Sequence, residues 1–206
     1  MKKHFSAFSL FTLMICCAAL LCGCGSPAKR IDPTTQGLTT VRDVNTRDWN
    51  DVSARAINSL IASGALVRPD GRKSVVMINE VKNRSGSRAR TQILTNKMRQ
   101  AMLASGKAVV TTAVGGRGPE DNATRQVREL ENDDLFNQST VQKRGTVIAP
   151  DLSLSGEIIN QRTDVGRTTE NTFYFHVVVT DLQTGLAVWE DNFEISKQET
   201  VNIFGY

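Results

Sequence analysis

The side chains able to act as nucleophiles or hold a metal are few in this chain and poorly placed for one another. All four cysteines (Cys16, Cys17, Cys22, Cys24) fall within the first 24 residues, and the two histidines are His4 and His176. A zinc site takes three or four Cys, His or carboxylate ligands, and a nucleophile–base pair sets Cys or Ser against His. If the N-terminal segment is removed, Cys24 and His176 are what remains of that inventory. His176 stands inside a β-branched run, where a lone histidine packs or faces solvent. Gly115-Gly116-Arg117-Gly118 precedes a helical stretch as a phosphate loop would, but it lacks the Gly-Lys-Ser/Thr ending and reads as a flexible loop. Glu129, Glu131, Asp133 and Asp134 supply neighbouring carboxylates on a polar stretch, with no apolar pocket to raise one of their pKa values, so they read as a solvated face. Metal and triad chemistry are excluded on these grounds. The chain is expected to be a non-enzyme with no cofactor and no metal.

One cysteine has a different use. Met1-Lys2-Lys3-His4 is a short positive region, Phe5 to Leu21 is almost unbroken apolar sequence, and Leu21-Cys22-Gly23-Cys24 follows. An apolar run of about 17 residues is at the lower edge of what spans a bilayer, and with these flanks it reads as an export signal. Cys24 has a small residue, Gly23, before it and Leu21 three positions upstream, a pattern that resembles the bacterial lipobox. That resemblance implies cleavage after residue 23 and lipid attachment at Cys24. Each buried methylene contributes about 0.8 kcal/mol, so two or three acyl chains anchor stably where one holds marginally. Gly25, not Asp, follows the cysteine, which points to the outer membrane.

Removing the leader takes Lys2 and Lys3 and no acid, so the 25 basic residues fall to 23 against 21 acids, a net of +2 where the whole chain has +4. This near-neutral balance gives no argument for nucleic acid. The concentration of charge that remains is local: Lys82, Arg84, Arg88 and Arg90, with Asn83 and Ser85 between them. These cations, with Asn83, form the candidate contact patch, a rim of donors that meets acidic groups on a partner protein.

The elements that must position the patch follow from periodicity. Residues 24–47 are rich in Ser, Pro, Thr, Gly, Asp and Asn and read as a tether spanning about 25 to 30 Å as a coil. Trp49, Val52, Ala56, Ile57, Leu60 and Ile61 recur at helical spacing, with Asp48 as the expected N-cap and Gly64 as the stop. Ser74 to Val81 is a β-branched strand. A second helix from about Arg90 places Ile93, Leu94, Met98, Ala101, Met102 and Ser105 on one face and ends at Gly106. Ala108 to Ala113 is a short strand. Pro119 is expected near the first position of a third helix whose apolar side is Ala123, Val127 and Leu130. Asn132 to Arg144 is polar and ambiguous, compatible with a short helix capped at Asn137. Leu152–Arg162, Asn171–Asp181 and Leu186–Ile195 are three strands of an antiparallel meander, with Phe173, Phe175, Val177 and Val179 turned inward and Gly185 in a bulged turn. The expectation is an α+β domain over 48–206: a mixed sheet of about five strands with helices packed on it.

Read together, these segments resemble the LpoB family of outer-membrane lipoproteins that activate class A penicillin-binding proteins. The resemblance rests on Asp48-Trp49-Asn50 opening the first helix, Val81-Lys82-Asn83-Arg84-Ser85 after the first strand, Met98 to Met102 with Gly106-Lys107 closing the second helix, and Leu182 to Gly185 with Trp189 in the last hairpin. It implies a non-catalytic partner of a class A penicillin-binding protein, anchored to the outer membrane through Cys24 with its domain in the periplasm. Hairpin and strand–helix elements of this kind also recur in CsgG-like secretion lipoproteins and in TolB N-terminal-like domains. An oligomeric CsgG-like lipoprotein of a secretion or assembly system is therefore the alternative; it would need spare amphipathic strands of about 9 to 11 residues, which this chain lacks.

Overall fold

The computed structural model describes residues 28–116 and 120–201. The leader, Cys24, Arg117–Pro119 and the last residues lie outside them. Residues 28–32 precede the main unit, carry no regular structure and are exposed.

Helix α1 covers Thr46–Ser63. Its N-cap is Asn45, not Asp48: the Asn45 side chain accepts from the Arg47 and Asp48 amides at 2.9 and 3.2 Å, and the Asp48 carboxylate returns a bond by accepting from the Asn45 amide at 2.7 Å. This reciprocal box satisfies helix-end donors that have no partner within the helix. The packed chain starts earlier still, because Val41 and Val44 are buried. The expected end of the tether at Arg47 thus lies inside a helix that is already anchored.

Strand β1 runs Ser74–Asn83, helix α2 Thr91–Ser105, strand β2 Ala108–Val110 and helix α3 Ala123–Glu129; β3, β4 and β5 are Leu152–Val165, Thr168–Asp181 and Ala187–Thr200. The sheet order is β2-β1-β3-β4-β5, with β1 parallel to both neighbours and the rest antiparallel. The five-stranded mixed sheet and the terminal meander agree with the sequence reading, although the three long strands each extend beyond their expected ends. Gly64 and Gly106, at the ends of α1 and α2, and Gly185 in the last hairpin have positive φ, the backbone region glycine enters without steric cost.

Helices α1 and α2 pack against each other and lie over the sheet, α1 against β5 and α2 against β1 and β2. The core between them holds Val52, Leu60, Val76, Leu94, Met98, Met102, Leu154, Ile158, Phe173, Phe175, Val177 and Val179, all fully buried. Each such side chain stabilises the fold by about 1.5–3 kcal/mol relative to exposure. The Trp49 ring meets Phe175 edge-on at 5.8 Å. Ile93 departs from expectation, standing 41% exposed on the α2 flank.

Two further expectations fail between β2 and β3. Helix α3 begins at Ala123 after Asn122, later than expected, with Glu120 and Asp121 before it; Pro119, expected near its first position, lies outside the described residues. No residue of α3 is buried. Its expected apolar stripe is too short to earn a place on the core, since a helix of two turns depends on tertiary packing. Asn132 to Arg144 forms turns, not a helix; Asn137 accepts from the Ser139 amide at 3.1 Å, an Asx turn that competes with helical bonding.

Gly116 is placed by contact, where the sequence suggested looseness. Its amide donates to Ile78 O at 3.2 Å, and a Cβ there would lie 2.6 Å from the Glu80 amide nitrogen. The close approach occurs where β1 bulges: Ile78 and Val81 both face inward, opposite Leu154 and Gly156 on β3, with Asn79 and Glu80 inserted between them.

Candidate functional site

The contact patch is built around the end of β1. The Asn83 side chain holds the loop that follows: its Nδ2 donates to Ser87 O and Ala89 O, each at 3.0 Å, and its Oδ1 accepts from the Ser85 amide at 3.0 Å and the Ser85 hydroxyl at 2.7 Å. The Ser85 and Ser87 hydroxyls meet at 2.8 Å. Asn83, one of the residues of the expected contact patch, is exposed, and its side-chain bonds brace the loop that carries the rim. A loop tied at this many points presents its cations with less ordering cost on binding.

Lys82, Arg84, Arg88 and Arg90 are all exposed. Arg84 is anchored twice, through its amide to Ile158 O at 2.8 Å and its Nε to Glu157 at 3.0 Å. Lys82, Arg88 and Arg90 have no carboxylate within ion-pair distance among the described residues. Arg90 is the N-cap of α2, makes no side-chain cap bond, and is followed by no acid in the first turn. The positive end of that helix dipole therefore adds to the rim's potential without being neutralised.

A groove of about 510 Å³ lies between β1 and the start of α2, lined by Glu80–Arg84 and Ala89–Gln92. The structure thus brings Lys82, Asn83, Arg84 and Arg90 to one concavity, while Arg88 sits on the loop outside its lining. A second groove of about 360 Å³ adjoins it on the uncovered sheet face and shares Glu80, Lys82 and Arg84, adding Glu157 and His176. His176 pairs across strands with Glu157, and its Nε2 lies 2.8 Å from Glu190. The groove-lining roles of Thr91, Gln92 and Glu157 had no linear signal: the first two depend on where α2 starts, and Glu157 arrives only through the β1–β3 register.

A third groove, about 350 Å³, lies elsewhere and includes Arg68, Arg72, Lys73 and Lys107. Its arginines are already neutralised. Arg68 pairs with Asp70 at 2.9 Å and with Asp151, and Arg72 pairs with Asp70 at 2.8 Å. Bonds from Arg68 and then Arg72 hold the Asp70 carboxyl well below the usual carboxylate range. Burial pushes Asp151 the other way, but the Val75 amide and Arg68 outweigh it and leave that carboxyl lowered as well.

Among the described residues no group of three or more His, Cys, Asp or Glu is arranged to hold a metal. Nor is any described helix long and apolar enough to cross a membrane. The rim is a set of donors, suited to recognising carboxylates or other anionic acceptors on a partner.

Solved structures to which the chain is similar include the C-terminal domain of LpoB from Escherichia coli, at 15% identity and a TM-score of 0.41 over 73% of this chain and 99% of that one. The corresponding domain from Salmonella enterica gives 13% and 0.40 over 72% and 98%. Lipoprotein GNA1162 from Neisseria meningitidis gives 13% and 0.35 over 63% and 88%. No curated protein sequence matches the chain. The family model described as "Peptidoglycan-synthase activator LpoB" matches residues 48–195, from the first turn of α1 through most of β5, and the chain belongs to that family.

Proposed function

We propose that this protein is a non-catalytic lipoprotein, held to the outer membrane through Cys24, that binds a class A penicillin-binding protein from the periplasmic side and raises its rate of peptidoglycan synthesis. The observation that carries this reading is the family match over 48–195. The exposed cations beside the loop braced by Asn83 support it, since they offer donors to acidic groups on a partner. Activation needs no chemistry from the activator: higher affinity for the active conformation of the synthase shifts its population by that difference. Only a short segment lies between Cys24 and the buried Val41, so the domain works close to its membrane, and the synthase spans the remaining gap.

The test is reconstitution. The mature chain and a class A synthase from the same organism are combined, and glycan polymerisation and crosslinking are measured with and without the chain. Faster synthesis together with a saturable complex supports the reading; no complex at micromolar concentration with any class A synthase of that organism rejects it.

A further inference from the structure

The chain between β2 and β3 has a fixed conformation yet adds nothing to the core. No described residue from Thr111 to Asp151 is buried. Polar links hold this excursion in shape. Arg128 ties its two limbs together, its Nε donating to Lys143 O at 3.1 Å and its Nη2 to the Thr146 hydroxyl at 2.8 Å. At the closed end the Gln138 side chain braces the turn. Its Nε2 is shared among Leu130 O at 3.2 Å, Asp133 O at 2.7 Å and Phe136 O at 3.2 Å, and its Oε1 accepts from the Asn132 amide at 3.0 Å. The Asp133 carboxylate accepts from the Leu135 amide at 3.0 Å. Asn132 has a φ of 72°, in the left-handed region that asparagine enters more readily than most side chains. The turn so braced directs Leu135 and Phe136 outward, 89% and 44% exposed.

A single exposed leucine is ordinary on a protein surface. Here two large apolar neighbours are exposed together, on a turn whose bonds keep it from folding back over them. The charge around them has one sign. Residues 129–142 include Glu129, Glu131, Asp133 and Asp134 and no base. Glu131 meets Lys143 and Arg144, each at 3.8 Å. Glu129, Asp133 and Asp134 have no cation within ion-pair distance among the described residues.

We propose that Leu135 and Phe136 form an apolar anchor that enters a pocket bordered by cations on the partner synthase. The proposal rests on the reading of that partner as a class A synthase and adds a second contact, opposite in sign to the basic rim. A few large side chains entering a desolvated pocket carry most of the affinity of an interface. A turn already fixed loses little conformational freedom when they do so. The acids select the occupant. An anionic lipid surface repels the unpaired Asp134 and its neighbours. A second copy of this chain would attract the turn to its basic rim, but the apolar lining of the groove there is only the buried Val81 and the small Ala89. That groove gives two large apolar side chains no recess, so the pocket belongs to a different protein.

The mature acylated chain, in detergent micelles that also hold phosphatidylglycerol, is titrated with each purified class A synthase of the same organism. Leu135→Ser and Phe136→Ser should each weaken binding about tenfold or more, while the Tm stays within about 2 °C of the parent because both side chains are exposed. Asp134→Lys should weaken it about fivefold, and this loss should shrink as salt is added. To identify the occupant, Phe136 is replaced by p-benzoylphenylalanine and the mixture is irradiated. A crosslink to the synthase is the expected product. Crosslinks to lipid or to a second copy of the chain alone would overturn the anchor and leave the proposed function standing. So would serine variants that bind the synthase as tightly as the parent. A parent chain that binds no class A synthase would reject the anchor and the proposed function together.

Discussion

The Asp48 carboxylate accepts from the Lys197 ammonium at 2.5 Å, and both side chains are about nine-tenths buried. This pair joins the first turn of α1 to the outermost strand. Asp48 also accepts from the Asn45 amide, while Lys197 donates to Asp43 O at 2.7 Å and lies 5.9 Å from the centre of the Phe173 ring. One carboxylate thus caps the helix and holds the entry of the chain to β5.

Removing one member of a buried pair leaves the other charge without its partner, at a cost of about 3–5 kcal/mol. Asp48→Ala should approach that range, because it also removes the return bond of the capping box. Lys197→Met should cost less, since Asp48 keeps the Asn45 amide. Combining the two should cost clearly less than the sum, as measured by urea unfolding of the singles and the double. Additive losses would show that the pair does not act as a unit.

Gly156 is required by contact between strands. A Cβ at this position would lie 2.2 Å from His176 O, so Gly156→Ala must push β4 from β3 in the middle of the sheet. The expected loss is about 3 kcal/mol, seen as a drop in Tm of roughly 6–12 °C for a domain of this size. An alanine variant melting within about 2 °C of the parent would contradict this geometry.

Acid should unfold the domain through its bonded carboxylates. Asp70, Asp164 and Asp181 are lowered by bonds from Arg68, from Arg162 and from the Thr184 amide, in that order. Because the folded values lie below the unfolded value of about 3.9, the stabilisation is complete above that pH and disappears as pH falls through the lower folded values. Denaturant midpoints should therefore hold between pH 5 and 7 and decline below about pH 4, and Arg68→Gln should flatten the decline by returning Asp70 towards its ordinary range.

Charge reversal separates the rim from the rest of the surface. Lys82→Glu and Arg90→Glu should each weaken synthase binding about tenfold and steepen the loss with added salt, whereas Arg72→Glu, in the distant neutralised groove, should change it little. Equal effects at the two places, measured by surface plasmon resonance, would show that net charge alone controls association.

For the anchor, Cys24→Ala should abolish labelling by radioactive palmitate and release the chain from the membrane fraction. Labelling that persists in this variant would move the acylated residue elsewhere.

The sequence by itself determined the order of the main elements and which faces are apolar, because those are local: helical and alternating spacing in α1, α2 and β4 directly encode what each element can bury, and Gly64, Gly106 and Gly185 mark positions needing positive φ. It also narrowed the chemistry by its Cys and His content and named a cluster of cations. Tertiary structure decided what those cations can do. The β1–β3 register brought Glu157 to Arg84, the turns after β1 tied the Asn83 side chain into the loop, and the start of α2 set Arg90 against the same groove. The same long-range packing rejected α3 from the core and made Asp48 part of an ion pair with a residue 149 positions away. Periodicity records which side of an element is apolar; it carries no record of which distant backbone will lie beside it, since that is set by the combined burial of many side chains and the pairing of strands far apart in the chain.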